Sequence, residues 1–63
     1  MVEKFYVWKD GDRMENEFDE YLDALQCALD NDVDEIEKTI WNSEDAYSNG
    51  EPADNFCTAW SRY

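Results

Sequence analysis

Carboxylates are the side chains best suited to chemistry in this sequence, and they are densest between residues 30 and 37. Asp30, Asp32 and Asp34 are spaced as in the opening of an EF-hand calcium loop. The match fails further on, because the sixth position requires glycine and is Glu35, and the twelfth requires a bidentate glutamate and is Trp41. The run therefore predicts a hydrated acidic surface that gathers cations weakly, and no metal or other cofactor is expected.

Catalysis is not indicated by the remaining reactive residue types. Acid/base chemistry by two carboxylates requires a pocket that separates their pKa values. The chain has no histidine and no glycine-rich phosphate loop, and no nucleophile lies beside a recognisable base. Cys27 and Cys57 are too far apart for a zinc-ligand pair or a CxxC motif, so free thiols are expected. The sequence predicts a protein that is not an enzyme.

Net charge points to a class of partner. Seventeen acidic residues against five basic ones give −12 on 63 residues, whereas small soluble domains carry a net charge of roughly 2 to 8 in magnitude. Such a field speeds encounter with basic proteins and disfavours direct binding to nucleic acid or anionic membranes. Crowded carboxylates are also expected to repel one another and so to have raised pKa values. Alternatively, the acidic residues form an ordinary solvated surface that serves solubility alone.

Length and apolar patterning limit the architecture. A chain this short forms a single domain, residues 1–63, and buries only about 60% of its unfolded surface. No apolar run approaches the ~20 residues needed to cross a bilayer, and no secretory signal is recognisable, so a cytoplasmic location is expected. Aromatic residues make up 16% of the chain, which argues against disorder.

The first half of the chain predicts a strand followed by a helix. Residues 3 to 9 are rich in aromatic and β-branched types and end at a turn signal around Gly11. A helix is expected over residues 17–30, capped by Asn16. Its apolar stripe recurs at helical spacing, with acidic residues on a flank away from it. The stripe consists of Phe18, Leu22, Leu25 and Leu29.

The second half contains one ambiguous segment. Residues 33 to 43 fit helical spacing, with Asp32 and Glu35 as a possible capping box, but they also alternate as a strand does. A strand is favoured, because Thr39, Ile40 and Trp41 prefer extended structure. Residues 43 to 55 predict a loop with room for one helical turn after Ser43. The residues from 56 to 63 predict a final strand.

These elements give an α+β fold of order β-α-β-β, with one helix packed on a small three-stranded sheet. A right-handed crossover would make the first two strands parallel, and the last two would form a hairpin. Strict alternation places one set of residues toward the helix and leaves an aromatic set on the open face. The first set is Phe5, Val7, Ile36, Ile40, Cys57 and Ala59; the second is Tyr6, Trp8, Trp41, Phe56 and Trp60.

The candidate partner-binding residues are acidic side chains together with the three tryptophans, since aromatic residues on an open face often anchor interfaces. Alternatively, long side chains or the loop of residues 43 to 55 cover these rings. The acidic candidates are Asp19, Asp23, Asp30, Asp32, Asp34, Glu35, Glu37, Glu44 and Asp45, and the aromatic candidates are Trp8, Trp41 and Trp60.

A very short, strongly acidic chain rich in tryptophan and tyrosine resembles the small phage-encoded inhibitors that mimic nucleic acid. These include anti-CRISPR proteins and inhibitors of uracil-DNA glycosylase or of restriction enzymes. The segments from Asp34 to Tyr47, Asn49 to Pro52 and Trp60 to Arg62 also look like small phage or bacterial proteins of βαββ type. The resemblance implies a phage protein that acts by protein–protein interaction in the host cytoplasm.

Two functional hypotheses follow. The first is a non-enzymatic acidic inhibitor that mimics nucleic acid and blocks the basic nucleic-acid-binding groove of a larger protein, such as a nuclease complex. The second is a small structural or assembly module that forms a homodimer through its aromatic sheet face, its charge serving solubility.

Overall fold

The computed structural model describes all 63 residues and has an α+β fold built on one four-stranded antiparallel sheet. The predicted class is confirmed, but the predicted three-stranded β-α-β-β arrangement is incomplete, because a short second strand and a second helix are added. The sheet order is β2-β1-β3-β4. The elements are β1 (Val2–Lys9), β2 (Asp12–Arg13), α1 (Tyr21–Asn31), β3 (Glu35–Trp41), α2 (Glu44–Ser48) and β4 (Asn55–Ser61).

The prediction that the first two long strands run parallel is wrong, because β1 and β3 are antiparallel. After the turn at Asp10 and Gly11 the chain runs back along the outer edge of β1, where the Met14 amide donates to the Val7 carbonyl. Phe5 and Phe18 exchange two backbone hydrogen bonds further along. This return segment, residues 12 to 18, adds one reversal of chain direction before α1 begins. The strand that follows the helix, β3, therefore runs antiparallel to β1.

Helix α1 starts later than predicted and buries a different face. Residues up to Phe18 pair with β1, so the helix begins at Tyr21 and Asn16 does not cap it. Its N-cap residue is Glu20, which makes no side-chain capping bond. The residues that pack fully against the sheet are Ala24 and Ala28, small enough to bring the helix close to β1 and β3.

The predicted leucine stripe is therefore wrong at two of its positions. Leu22 is 71% exposed and Leu29 is 66% exposed, whereas Leu25 and Phe18 pack partly against the core. The core is filled mainly from the sheet side, by large side chains that leave room only for alanine on the helix. Its buried members are Phe5, Val7, Ala24, Ala28, Val33 and Ile36.

The opposite sheet face is partly covered by the chain that links β3 to β4. Ser43 caps α2 by accepting hydrogen bonds from the amides of Asp45 and Ala46, which confirms the predicted helical turn. Tyr47 of α2 packs edge-on against Trp41 at 4.9 Å between ring centroids. The Trp41 indole N–H donates to the Glu51 carbonyl at 2.9 Å. This segment thus supplies a partial second layer, as the alternative interpretation of residues 43 to 55 expected.

A β-bulge in β4 places part of the final strand on a different sheet face from the one predicted. Ile36 pairs with Trp60 and Glu37 pairs with Thr58, so Ala59 is an extra residue without a partner. Because side chains alternate with a period of two, one extra residue moves those beyond it to the other face. Trp60 consequently packs against the helix-side core, whereas Phe56 stays on the open face.

Candidate protein interface

The sheet face opposite α1 contains a shallow groove of about 240 Å³. We call it the acidic-aromatic groove. Its lining comes from β1, β3 and β4, which the antiparallel register places side by side. The lining residues are Trp8, Glu35, Glu37, Phe56, Cys57 and Thr58.

Hydrogen bonds orient the side chains in this groove. The Trp8 indole N–H donates to Glu37 Oε1 at 3.1 Å, and the Thr39 hydroxyl donates to Glu37 Oε2. The Thr58 hydroxyl lies 3.4 Å from Glu35 Oε2. Neither glutamate forms an ion pair within the protein. The groove therefore combines two uncompensated carboxylates with an oriented indole ring.

This arrangement suits a basic side chain. An indole or phenyl face attracts a guanidinium or ammonium group, and a nearby carboxylate adds a charge-assisted hydrogen bond. Phe56 supplies apolar contact area on the groove rim, since its side chain is 69% exposed. The chemistry available is recognition of lysine or arginine.

Glu17 has a structural role at the centre of a cluster of hydrogen-bond donors. It accepts hydrogen bonds from the hydroxyls of Tyr6, at 2.7 Å, and Tyr47, and it lies 3.8 Å from Lys4 Nζ. Partial burial alone would raise the pKa of Glu17, but the two phenol hydrogen bonds and Lys4 outweigh burial and lower it. Burial and the bond to Glu17 raise the pKa of Tyr6. This cluster ties β1 and α2 to the return segment.

Asp34 is also used within the fold. A hydrogen bond from the Asp10 backbone amide at 2.9 Å, aided by Arg62, lowers the pKa of Asp34 below its ordinary value. Arg62 pairs with Asp34 at 3.2 Å and with Asp32 at 2.9 Å. The expectation of raised carboxyl pKa values is therefore wrong for Asp34 and Glu17, because both are compensated by donors.

The other predicted acidic residues are spread over the molecule. Asp23 and Asp30 are exposed on α1, on the opposite side of the sheet from the acidic-aromatic groove. Asp19 precedes α1 and pairs with Lys4. Glu44 and Asp45 occupy the first turn of α2, where a negative charge stabilises the helix N-terminus. Of the predicted acidic set, only Glu35 and Glu37 meet in the groove.

The predicted tryptophan face does not form as expected. Trp8 lines the groove and is half-buried, but Trp41 is only 9% exposed beneath α2. Trp60 lies on the helix side because of the bulge. Phe56 lines the groove but is not among the predicted partner-binding residues, although residues 55 to 61 form the longest stretch of the chain without a charged residue. That signal could have identified it.

Comparison with known proteins finds no matching family, no matching curated sequence and no matching solved structure. No three acidic or cysteine side chains converge in a way that could hold a metal ion. Cys27 and Cys57 are both free thiols. Neither helix has the length and apolar character needed to span a bilayer.

Proposed function

We propose that this protein is a non-enzymatic binding protein that inhibits a larger basic protein by mimicking nucleic acid. The observation that carries the proposal is the acidic-aromatic groove, where Glu35 and Glu37 lie unpaired beside Trp8 on a chain of net charge −12. Proteins that hold nucleic acid present lysine and arginine to its phosphates and often stack rings on its bases. A surface with carboxylates and exposed rings offers such a protein both kinds of contact.

Charge and rings would contribute to different steps of binding. The field of the acidic surface accelerates association with a basic groove, and it does so less as salt screens the charges. Trp8 and Phe56 become desolvated in the complex and slow dissociation, as aromatic anchors do. The carboxylates of Asp23 and Asp30 on α1 contribute to the field without needing to contact the partner.

A competition assay tests the function. A fluorescently labelled duplex is bound to uracil-DNA glycosylase, to a restriction endonuclease and to Cas nuclease complexes, and the protein is titrated against each while anisotropy is recorded. We expect displacement of the duplex from one class of target, weaker at higher salt. A poly-glutamate peptide of the same net charge is the control; equal displacement by that peptide, or none by the protein from any target, would contradict nucleic-acid mimicry.

Matched variants locate the contact surface. Replacing Glu35 and Glu37 together by glutamine removes two charges. At position 37 the amide oxygen still accepts from the Trp8 indole N–H, and the amide nitrogen can donate to the Thr39 hydroxyl oxygen. We expect the protein concentration needed to displace half of the duplex to rise about tenfold, the equivalent of about 1.4 kcal/mol. The control replaces Glu44 by glutamine and Asp45 by asparagine, which removes the same charge from α2. Equal losses in both double variants would assign the effect to net charge and not to the groove.

A homodimer remains the second candidate, favoured by the exposed Phe56 on an uncharged strand. Light scattering at low and high salt separates the two. A dimer held by apolar contacts persists or strengthens as salt rises, whereas a complex with a basic target weakens.

A further inference from the structure

The sheet has one covered edge and one open edge. The outer edge of β1 is paired by β2 and then by the return segment as far as Phe18. The outer edge of β4 has no neighbouring strand. Six of the seven residues of β4 are exposed, the exception being Trp60. The Phe56 amide donates within the strand to Asn55 Oδ1 at 2.9 Å, and no strand pairs with the other outward backbone groups.

β4 has no charged residue and no proline to protect this edge, and the bulge at Ala59 is its one protective feature. Soluble proteins commonly place lysine, inward-pointing charges or proline on such strands to prevent pairing with another chain. Charged residues make up 35% of this sequence, yet none lies between Asn55 and Ser61. The bulge at Ala59 interrupts only the far end of the strand, which leaves residues 55 to 58 in regular register with β3.

Charge complementarity indicates which kind of strand fits beside β4. A strand added beside β4 lies about 10 Å from β3, twice the spacing between strands. Its side chains on the groove face would cross the short Thr58 toward Glu35 and Glu37, a distance suited to long basic side chains. A second copy would instead bring another chain of charge −12 to the same edge.

We propose that β4 binds an extended basic segment of the partner by strand addition, with alternate lysine or arginine side chains placed over the acidic-aromatic groove. The backbone hydrogen bonds supply affinity, and the groove selects charge at every second position. This inference rests on the proposed function, because it specifies the partner segment that the groove recognises.

The test uses the full chain and a synthetic peptide of the same length as β4, in which lysine or arginine alternates with threonine or valine. Amide exchange measured by NMR should slow within residues 55 to 61, and the Trp8 indole signal should shift. A second peptide of identical sequence carries N-methylated amides at alternate positions, which keeps the charge but removes backbone donors. It should bind about tenfold more weakly.

Matched lysine substitutions test the site. Phe56→Lys places a typical protecting charge on β4, and Leu29→Lys makes the same change at an equally exposed leucine on α1. We expect Phe56→Lys alone to weaken peptide binding about tenfold. Circular dichroism checks the fold, and Thr58→Lys, exposed on the same strand, replaces Phe56→Lys if that variant unfolds.

Several results would overturn strand addition. These are equal binding of the N-methylated peptide, equal weakening by Leu29→Lys, or slow exchange of β4 amides in a dimer of the free protein. Displacement of duplex DNA that Phe56→Lys leaves intact would also reject the use of this edge, while leaving nucleic-acid mimicry standing. Peptide binding at β4 without displacement of DNA from any target would reject the mimicry and retain strand addition.

Discussion

At the scale of single residues, the structure distinguishes two groups of carboxylates by their surroundings. Glu17 and Asp34 are surrounded by donors that lower their pKa values. Glu35 and Glu37 face the groove without a cationic partner. The carboxylates of the first group are compensated within the fold, whereas those of the second accept hydrogen bonds from neutral donors only and keep an unneutralised charge.

Glu17→Gln should destabilise the protein by about 1 kcal/mol at pH 7. This is less than the roughly 1.5–3 kcal/mol typical of bonds to a charged group, because a third of the side chain remains solvated. The folded-state pKa of Glu17 lies below its ordinary value of 4.5, so its contribution is fully present above that pH. It is lost as pH falls through the folded value. Urea unfolding from pH 7 to 3 should therefore show the difference from wild type shrinking in acid.

The control for this prediction is Glu15→Gln, an equal charge change at an exposed position two residues away. Its stability should match wild type within about 0.5 kcal/mol at every pH. A constant deficit of Glu17→Gln down to pH 3 would show that packing, and not the ionised carboxylate, is responsible.

The three tryptophans should respond differently to alanine substitution. Trp41→Ala and Trp60→Ala should each cost about 3 kcal/mol of stability, because both rings pack within the fold. Trp8→Ala should cost less stability but should raise the dissociation rate from the target by an amount worth about 2 kcal/mol. Thermal unfolding and surface plasmon resonance measure the two effects. A larger stability loss for Trp8→Ala than for the other two would remove it from the interface.

At the scale of elements, α1 shows how packing space overrides residue type. Leucine is the larger apolar side chain, yet alanine occupies the buried face because Phe5, Val7 and Ile36 already fill the space above the sheet. Burial of the small residues brings the helix and sheet backbones close. Leu22 and Leu29 are left on the solvent side beside Asp23 and Asp30.

Ala24→Leu should therefore destabilise the fold by about 1–3 kcal/mol, because the added methylenes have no space at a fully buried position. Leu22→Ala and Leu29→Ala should each change stability by no more than about 0.5 kcal/mol. Chemical denaturation of the three variants measures these values. A loss of several kcal/mol in either leucine variant would indicate that the helix packs through the face predicted from its spacing.

At the scale of the whole molecule, self-repulsion opposes a small core. Only nine residues are buried, and the net charge is −12. Five ion pairs relieve part of the repulsion, and they use three of the five basic side chains, Lys4, Lys38 and Arg62. Most carboxylates are left without a cationic partner, so screening should matter for stability as well as for binding.

Raising sodium chloride from low to physiological ionic strength and beyond at pH 7 should stabilise the protein by about 1 kcal/mol, or roughly 4–8 °C in melting temperature. The reason is that salt screens repulsion among exposed carboxylates. Sodium sulfate at matched ionic strength is the control for exclusion of salt from the surface. A melting temperature that falls with sodium chloride would mean that the ion pairs outweigh the repulsion.

Much of the local structure follows from the sequence. The aromatic and β-branched residues of β1, the alternation in β3 and the Ser43 cap of α2 depend on neighbours along the chain, and each element lies near its predicted position. Composition likewise determines the net charge of −12, on which the proposed preference for a basic partner rests. Glu35 and Glu37 lie on the same face of β3 because side chains two residues apart in a strand point to the same side.

Other features depend on contacts between distant segments, which only the tertiary structure decides. The return segment that pairs with β1 reversed the direction of β3, and the bulge at Ala59 moved Trp60 to the helix side. Neither event leaves a local signal, because each depends on which backbone groups of another strand remain unpaired. The acidic-aromatic groove exists because register places Trp8, Glu37 and Thr58 on adjacent strands, and register is a property of the assembled sheet.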